Sequence, residues 1–261
     1  MAFNGKVALI TGGASGMGQL DALRPARQGA KVAILDLNEK GLTDTAAQSP
    51  NIKAYKCDVT DLDAVRQIVA QVEKDLGPVD RLVHCAAIMP GQSIKDMPAE
   101  LINKVMAINF FGTVNLTKTL MPLMEARGGG DIILYGSMAG SVLTHNLGAY
   151  SATKAAINAF AEILVRENLG SPIRFLLVCP PMVNTPLVNQ ATAHGPESLK
   201  DSAKTGKNMA QPQEIIDAVE AALDRGDWVV RPKPAGFMML WRRLFPGALW
   251  WVMEKANKVK H

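Results

Sequence analysis

Short apolar runs separated by helical patterns restrict the fold of this chain more than any other feature. Five runs, KVALIT (6–11), KVAILD (31–36), RLVHCAA (81–87), DIILYGS (131–137) and IRFLLVC (173–179), are largely apolar rather than alternating in polarity. That is the pattern of strands covered on both faces. KAYKCDV (53–59) is a weaker strand and WVVRP (228–232) a candidate last one. Helical periodicity fills the intervals, at about 17–28, 39–48, 61–76, 99–126, 149–169 and 212–225. Such alternation predicts an α/β fold, a parallel sheet with helices on both faces. No repeat, low-complexity stretch or linker divides residues 1–232, which read as one domain, and 233–261 read as an extension. The polar segment 184–210 is too long for a routine connection and is expected to be a substrate loop or lid.

The 261 residues, 48% hydrophobic and 20% charged, describe a globular protein with a substantial core. Cys57, Cys85 and Cys179 are scattered without metal-ligand spacing, so they are expected to be reduced, buried thiols of a cytoplasmic protein, and no metal site is expected. The start, MAFNGKVALITGG, has no apolar stretch of signal-peptide length. From Arg231 onward the chain carries seven Lys and Arg against one Glu, whereas the rest carries 21 basic and 23 acidic residues. The body is therefore not basic enough for a nucleic-acid partner, and the positive charge belongs to the tail.

ITGGASGMG (10–18) follows the first strand and opens the first helix. Gly12, Gly16 and Gly18 allow a tight turn and a close approach to a pyrophosphate at the positive end of that helix. Asp36 ends the second strand, 18 residues past Gly18. A carboxylate there accepts from both adenosine ribose hydroxyls and repels a 2′-phosphate, and no Arg or Lys stands at Gly13, Ser15 or Leu37 to compensate. NAD is expected over NADP. Pro25 lies inside the same helix and predicts a kink or an early end.

GAYSATKAA (148–156) places Tyr150 and Lys154 four residues apart, the helical spacing at which side chains meet. By itself such a pair is usually a solvated helix face. An ammonium group near a phenol would, however, favour phenolate and lower its pKa towards the range of a general base.

Taken together, the TGxxxGxG spacing, Asp36 and YSATK resemble the classical short-chain dehydrogenase/reductase family over about residues 4–232. The resemblance implies a Rossmann-type, doubly wound sheet of about seven strands that binds a nicotinamide cofactor. It implies a catalytic group of Ser137, Tyr150 and Lys154, with Asn109 of MAINFFG holding a water that relays protons from Lys154. It places Asp58 against adenine and Thr185 against the nicotinamide carboxamide, and has Lys154 hold the nicotinamide ribose. It extends the cofactor site to Ser15, Met17, Leu37, Val59, Ala86, Ala87, Pro180 and Val183. Read without the family, Ser137 could cap a turn, Asn109 satisfy a helix bend and Thr185 be a plain loop residue. Two departures stand out: His84-Cys85-Ala86-Ala87 where Asn-Asn-Ala-Gly is usual, and Pro181 where Gly is usual. The first removes Asn support of the central sheet, and the second removes an N–H donor and restricts Pro180.

Positions flanking the reacting centre in this family are here Ile88, Met89, Met138, Leu147, Met182 and Leu187, with His145 and Thr144 as polar contacts. This apolar, pliant lining predicts a hydrophobic secondary alcohol or ketone, whether steroid, aryl or alicyclic. The tail, GFMMLWRRLFPGALWWVMEKANKVKH (236–261), has apolar blocks too short to span a bilayer. Its tryptophans and cations fit an interfacial helix on an anionic membrane. They also fit a helix pair that covers the site or packs at a subunit interface; that reading is preferred, because soluble relatives usually form homotetramers or homodimers. Two functions stay open at this point: an NAD-dependent dehydrogenase, and a non-catalytic cofactor-binding protein that associates with membrane or partner through its tail.

Overall fold

The computed structural model describes Phe3 and residues 5–257, so Lys258 to His261 of the expected tail lie outside the described residues. Seven parallel strands run in the order β3-β2-β1-β4-β5-β6-β7. They are β1 (Val7–Thr11), β2 (Lys31–Asp36), β3 (Ile52–Lys56), β4 (Arg81–His84), β5 (Gly130–Tyr135), β6 (Ile173–Val178) and β7 (Val229–Val230). The chain winds outwards from β1 to β3, then returns to pair β4 with the other side of β1. That reversal opens a crevice at the carboxyl ends of β1 and β4, where ligands bind in sheets of this kind. The expected strands are all present; β2 matches its run residue for residue, and the others are shorter than theirs.

Alternate strand residues enter opposite layers, as the period of two requires. Leu9, Leu82, Ile132, Leu134 and Leu177 pack under α3 (Leu62–Leu76), α5 (Gly112–Glu125) and α6 (Gly148–Glu167). Ile10, Ile34, Val83, Ile133 and Leu176 pack under α1 (Gly16–Arg27), α2 (Glu39–Ala46) and α8 (Pro212–Arg225). Both faces are buried, which is why the strands read as continuous apolar runs.

Three helical segments differ from expectation. Helix α1 runs as one element two residues past Pro25, so it does not end there. Pro25 falls in the last turn, where its carbonyl accepts from the Gln28 and Ala30 N–H groups, both at 3.0 Å, and so helps close the helix. The single helix expected over 99–126 is α4 (Ala99–Met106), a π-helical segment (Ala107–Phe111) and α5 in unbroken succession. Segment 184–210 holds a 3₁₀ turn (Pro186–Ala191) and α7 (Glu197–Thr205). The extension forms α9 (Ala235–Leu244) and α10 (Pro246–Ala256), separated at Phe245.

Candidate active site

A cavity of about 550 Å³ occupies the crevice above β1 and β4. Its floor begins at α1, whose N-terminal residue Ser15 makes no side-chain cap and whose first turn carries no acidic residue. The Gly16, Met17 and Gly18 amides at that end line the cavity, leaving an uncapped helix N-terminus suited to a pyrophosphate. The glycines have separate reasons. Gly12 takes a φ of 69°, and a Cβ there would lie 2.9 Å from the Ala86 nitrogen. A Cβ on Gly18 would collide with the Gly12 carbonyl oxygen.

Asp36 lines the same cavity at the end of β2. Its Oδ2 accepts from the Ala14 N–H at 3.2 Å and its Oδ1 from the Asn38 N–H at 3.0 Å, which hold the carboxylate at the lip. Leu37, Asp58 and Val59 border the same end. The Asp58 Oδ1 accepts from both the backbone N–H and the hydroxyl of Thr60, at 2.9 and 2.8 Å. Ala86, Ala87, Pro180, Val183 and Thr185 line the cavity further along, so the expected cofactor residues converge on one channel. Pro181 is also in its wall.

At the far end stand Ser137, Tyr150 and Lys154, all buried and all lining the cavity. Ser137 follows β5 with extended backbone, and Asn158 clamps its main chain by donating to the Ser137 carbonyl at 3.1 Å. Asn158 lies one turn beyond Lys154 on α6, so one helix presents the tyrosine and lysine and also fixes the serine.

The electrostatics differ from the sequence expectation. Burial pushes the Tyr150 phenol up to about 12, with its hydrogen bond to Ser137 pulling the other way. Burial pushes the Lys154 ammonium down to about 8. Lys154 donates a hydrogen bond to the Tyr135 carbonyl at 2.7 Å and lies 5.7 Å from the Tyr150 ring centroid. In the protein alone, desolvation of the phenolate outweighs the Ser137 hydrogen bond, and the expected lowering of the Tyr150 pKa is absent.

Asn109 is fully buried inside the π-helical segment. Its Oδ1 accepts from the Ile88 N–H at 2.9 Å, and its Nδ2 donates to the Ile88 carbonyl and to the Thr153 hydroxyl, both at 3.0 Å. The side chain thus ties the strand-four loop to α6. This is a positioning task at a π-helical distortion, a feature frequent near functional sites.

The apolar end of the cavity includes Ile88, Met89, Met138, Leu147, Met182 and Leu187, with Thr144 as a polar member. His145 is not in that wall: its ring packs edge-on against Trp250 with centroids 5.5 Å apart. Among the wall residues that sequence reasoning missed, three stand out. Gln190 lines the cavity and its Oε1 accepts from the Met89 N–H at 2.8 Å. Met238 of α9 and Met253 of α10 come from the tail.

The departure at His84 does not leave the central sheet unsupported. His84 Nδ1 pairs with the Thr11 hydroxyl at 2.8 Å across β1 and β4, and the same oxygen accepts from the Ala86 N–H at 3.2 Å. Burial pushes His84 down to about 3, so the ring is neutral at physiological pH. Beneath it, the Asp21 carboxyl of α1 accepts from the Tyr135 hydroxyl at 2.9 Å and from the Cys85 thiol at 3.5 Å. Burial pushes Asp21 up to about 7. The same burial raises the Cys85 thiol well above its ordinary value, which leaves it protonated and a poor nucleophile.

A nucleotide channel leading to a buried Ser-Tyr-Lys group defines a class of enzyme, and comparison with known proteins gives the family. The sequence profile described as short chain dehydrogenase matches residues 6–195. The chain belongs to the short-chain dehydrogenase/reductase family and is an oxidoreductase of that family. It is 30% identical to human epidermal retinol dehydrogenase 2 over 251 residues, 93% of this chain and 79% of the relative. It is 32% identical to a Bacillus subtilis 2,3-dihydro-2,3-dihydroxybenzoate dehydrogenase over 228 residues, 82% of this chain and 87% of the relative. A short-chain dehydrogenase from Streptomyces avermitilis superposes with a TM-score of 0.83 at 26% identity, covering 99% of each chain. A Burkholderia phymatum member solved in complex with NAD shares the fold, with a TM-score of 0.82 at 23% identity over 93% of this chain and 95% of that one.

Proposed function

We propose that this protein is an NAD-dependent dehydrogenase that interconverts a hydrophobic secondary alcohol (steroid, aryl or alicyclic) and its ketone. The observation that carries the reading is the convergence of Ser137, Tyr150 and Lys154 at the end of a cavity that starts at an uncapped helix N-terminus. The residues present fit a dinucleotide: amides for the pyrophosphate and, at Asp36, a carboxylate for the adenosine ribose. Asp36 also disfavours a 2′-phosphate, which supports NAD over NADP.

When bound, the cofactor supplies the hydride acceptor and, in its oxidised form, a positive charge. This chain's own residues do the rest. The Ser137 hydroxyl donates to the substrate oxygen and stabilises charge developing on it. Tyr150, hydrogen-bonded to Ser137, would act as phenolate in the oxidative direction, its own proton released when the Lys154 cation and the charge of the oxidised cofactor stand beside it, and take the alcohol proton. As neutral phenol it returns that proton to the ketone in reverse. Lys154, fixed by the Tyr135 carbonyl, holds a cation beside the phenol, and would bind the nicotinamide ribose, as the family resemblance implies. Asn109 keeps the Ile88 loop and α6 in register. Met89, Met138, Met182 and Leu187 exclude water and favour an apolar substrate.

Tyr150→Phe tests the assignment. Turnover of a panel of lipophilic secondary alcohols should fall by about 10²- to 10⁴-fold while NADH binding is kept. A variant as active as the wild type overturns the role of Tyr150. A wild type that binds NADH and turns over no alcohol or ketone favours a non-catalytic cofactor-binding role instead. A homotetramer or homodimer is the assembly proposed with this activity, to be read by sedimentation velocity.

A further inference from the structure

The tail helices have two faces that do different things. The inner face is fixed to the body. Asn257, just past α10, accepts through Oδ1 from the Ser198 N–H at 3.2 Å and the Ser198 hydroxyl at 2.8 Å, and donates through Nδ2 to the Thr144 hydroxyl at 3.3 Å. Trp250 packs on His145, and Met238 and Met253 form part of the cavity wall. The pair is therefore a built wall of the substrate cavity.

The outer face is apolar and uncovered. Phe237, Leu240 and Leu244, at i, i+3 and i+7 of α9, are each more than half exposed, as are Phe245 and Trp251. This spacing forms one stripe along the helix. Cations border it: Arg243 is exposed next to Leu244, and the Lys255 Nζ lies 3.8 Å from the Trp251 ring centroid. Among the described residues no helix is long and apolar enough to cross a membrane.

We propose that the outer face of α9 and α10 docks on an anionic lipid surface. Aromatic and aliphatic side chains interleaved with Lys and Arg match the interfacial zone of a bilayer, where apolar groups enter the acyl boundary and cations meet headgroup phosphates. A second copy fits less well. A symmetric contact would bring the Arg243 and Lys255 cations of two copies together in one contact, and protein interface cores are depleted of lysine. Docking in this way sets the Met238 and Met253 wall against the phase in which an apolar alcohol dissolves. That last consequence rests on the proposed substrate class, whereas the docking itself does not.

The test is co-sedimentation of the full chain with vesicles of phosphatidylcholine alone and of phosphatidylcholine with about a third phosphatidylserine. NADH binding is measured on the same samples. Wild type should bind the anionic vesicles and be released by high salt. Phe237→Glu combined with Leu240→Glu should weaken binding by about tenfold or more with NADH binding unchanged, and Arg243→Glu with Lys255→Glu should remove the preference for the anionic lipid. NADH binding without vesicle binding in the wild type overturns the docking and leaves the dehydrogenase reading intact. A wild-type assembly that becomes smaller in the Phe237→Glu, Leu240→Glu variant also overturns it, because a second copy then covers the face.

Discussion

Replacing Asp21 by Asn should stabilise the protein at pH 8 and change little at pH 5. Asp21 is 8% exposed and faces the Tyr135 hydroxyl and Cys85 thiol, with Arg81 and Glu220 acting more weakly. Burial dominates and raises its pKa from 3.8 to about 7. Between those values the folded protein keeps a proton that the unfolded chain has released, so stability falls as pH rises through the window and is lowest above about 7. The full difference corresponds to about 4 kcal/mol at 1.36 kcal/mol per tenfold change in proton affinity. Asn keeps an acceptor for Tyr135 and cannot ionise, but its buried NH₂ group must find a partner at a cost of about 1–2 kcal/mol. The expected net gain at pH 8 is therefore about 2–3 kcal/mol, and at pH 5 the variant should equal the wild type or fall slightly below it. Urea unfolding at the two pH values reads both numbers. If Asp21→Asn lowers stability equally at both, Asp21 is not a carboxyl strained by burial and the reasoning is wrong.

Three further outcomes follow from the site. Asn109→Ala removes three hydrogen bonds and leaves the Ile88 amide groups and the Thr153 hydroxyl without that partner; it should cost about 2–4 kcal/mol in urea unfolding, and a loss below 1 kcal/mol would deny its positioning role. Gly18→Ala places a methyl group against the Gly12 carbonyl, so NADH affinity should drop by about tenfold or more, and unchanged affinity would show that the loop can yield. Asp36→Ser with Leu37→Arg exchanges a repelling carboxylate for a cation and should raise NADPH affinity relative to NADH by about tenfold or more; a ratio that does not move would remove the electrostatic basis for cofactor choice.

What could be read in advance depended on whether a residue's role was local. The strands were legible because Leu9 and Ile10, or Val83 and Ile133, serve opposite buried layers and leave an unbroken apolar run. The glycine loop, Asp36 and the Tyr150–Lys154 pair were legible only in combination, through the family resemblance that the three carry together. The π-helical turn at Asn109 was not, because it depends on Ile88 and Thr153, which are distant in sequence. Asp21 breaks the apolar face of α1, and only the approach of Tyr135 and Cys85 explains why it is tolerated there. Met238 and Met253 enter the cavity because the tail is held to the body, through Asn257 on Ser198 and Thr144 and through Trp250 on His145. Lys154 lies near the Tyr150 ring, as the helical spacing requires, but its effect on the phenol was not legible, since burial raises the phenol and lowers the ammonium.

The most direct test of the account is titration of the purified protein with NADH and NADPH, side by side, by fluorescence or calorimetry. The account predicts saturable binding of NADH at least about tenfold tighter than NADPH, because Asp36 accepts from ribose hydroxyls and repels a 2′-phosphate. Binding of neither nucleotide would contradict it, and would mean that the channel with His84, Cys85 and Pro181 in its surroundings no longer holds a dinucleotide.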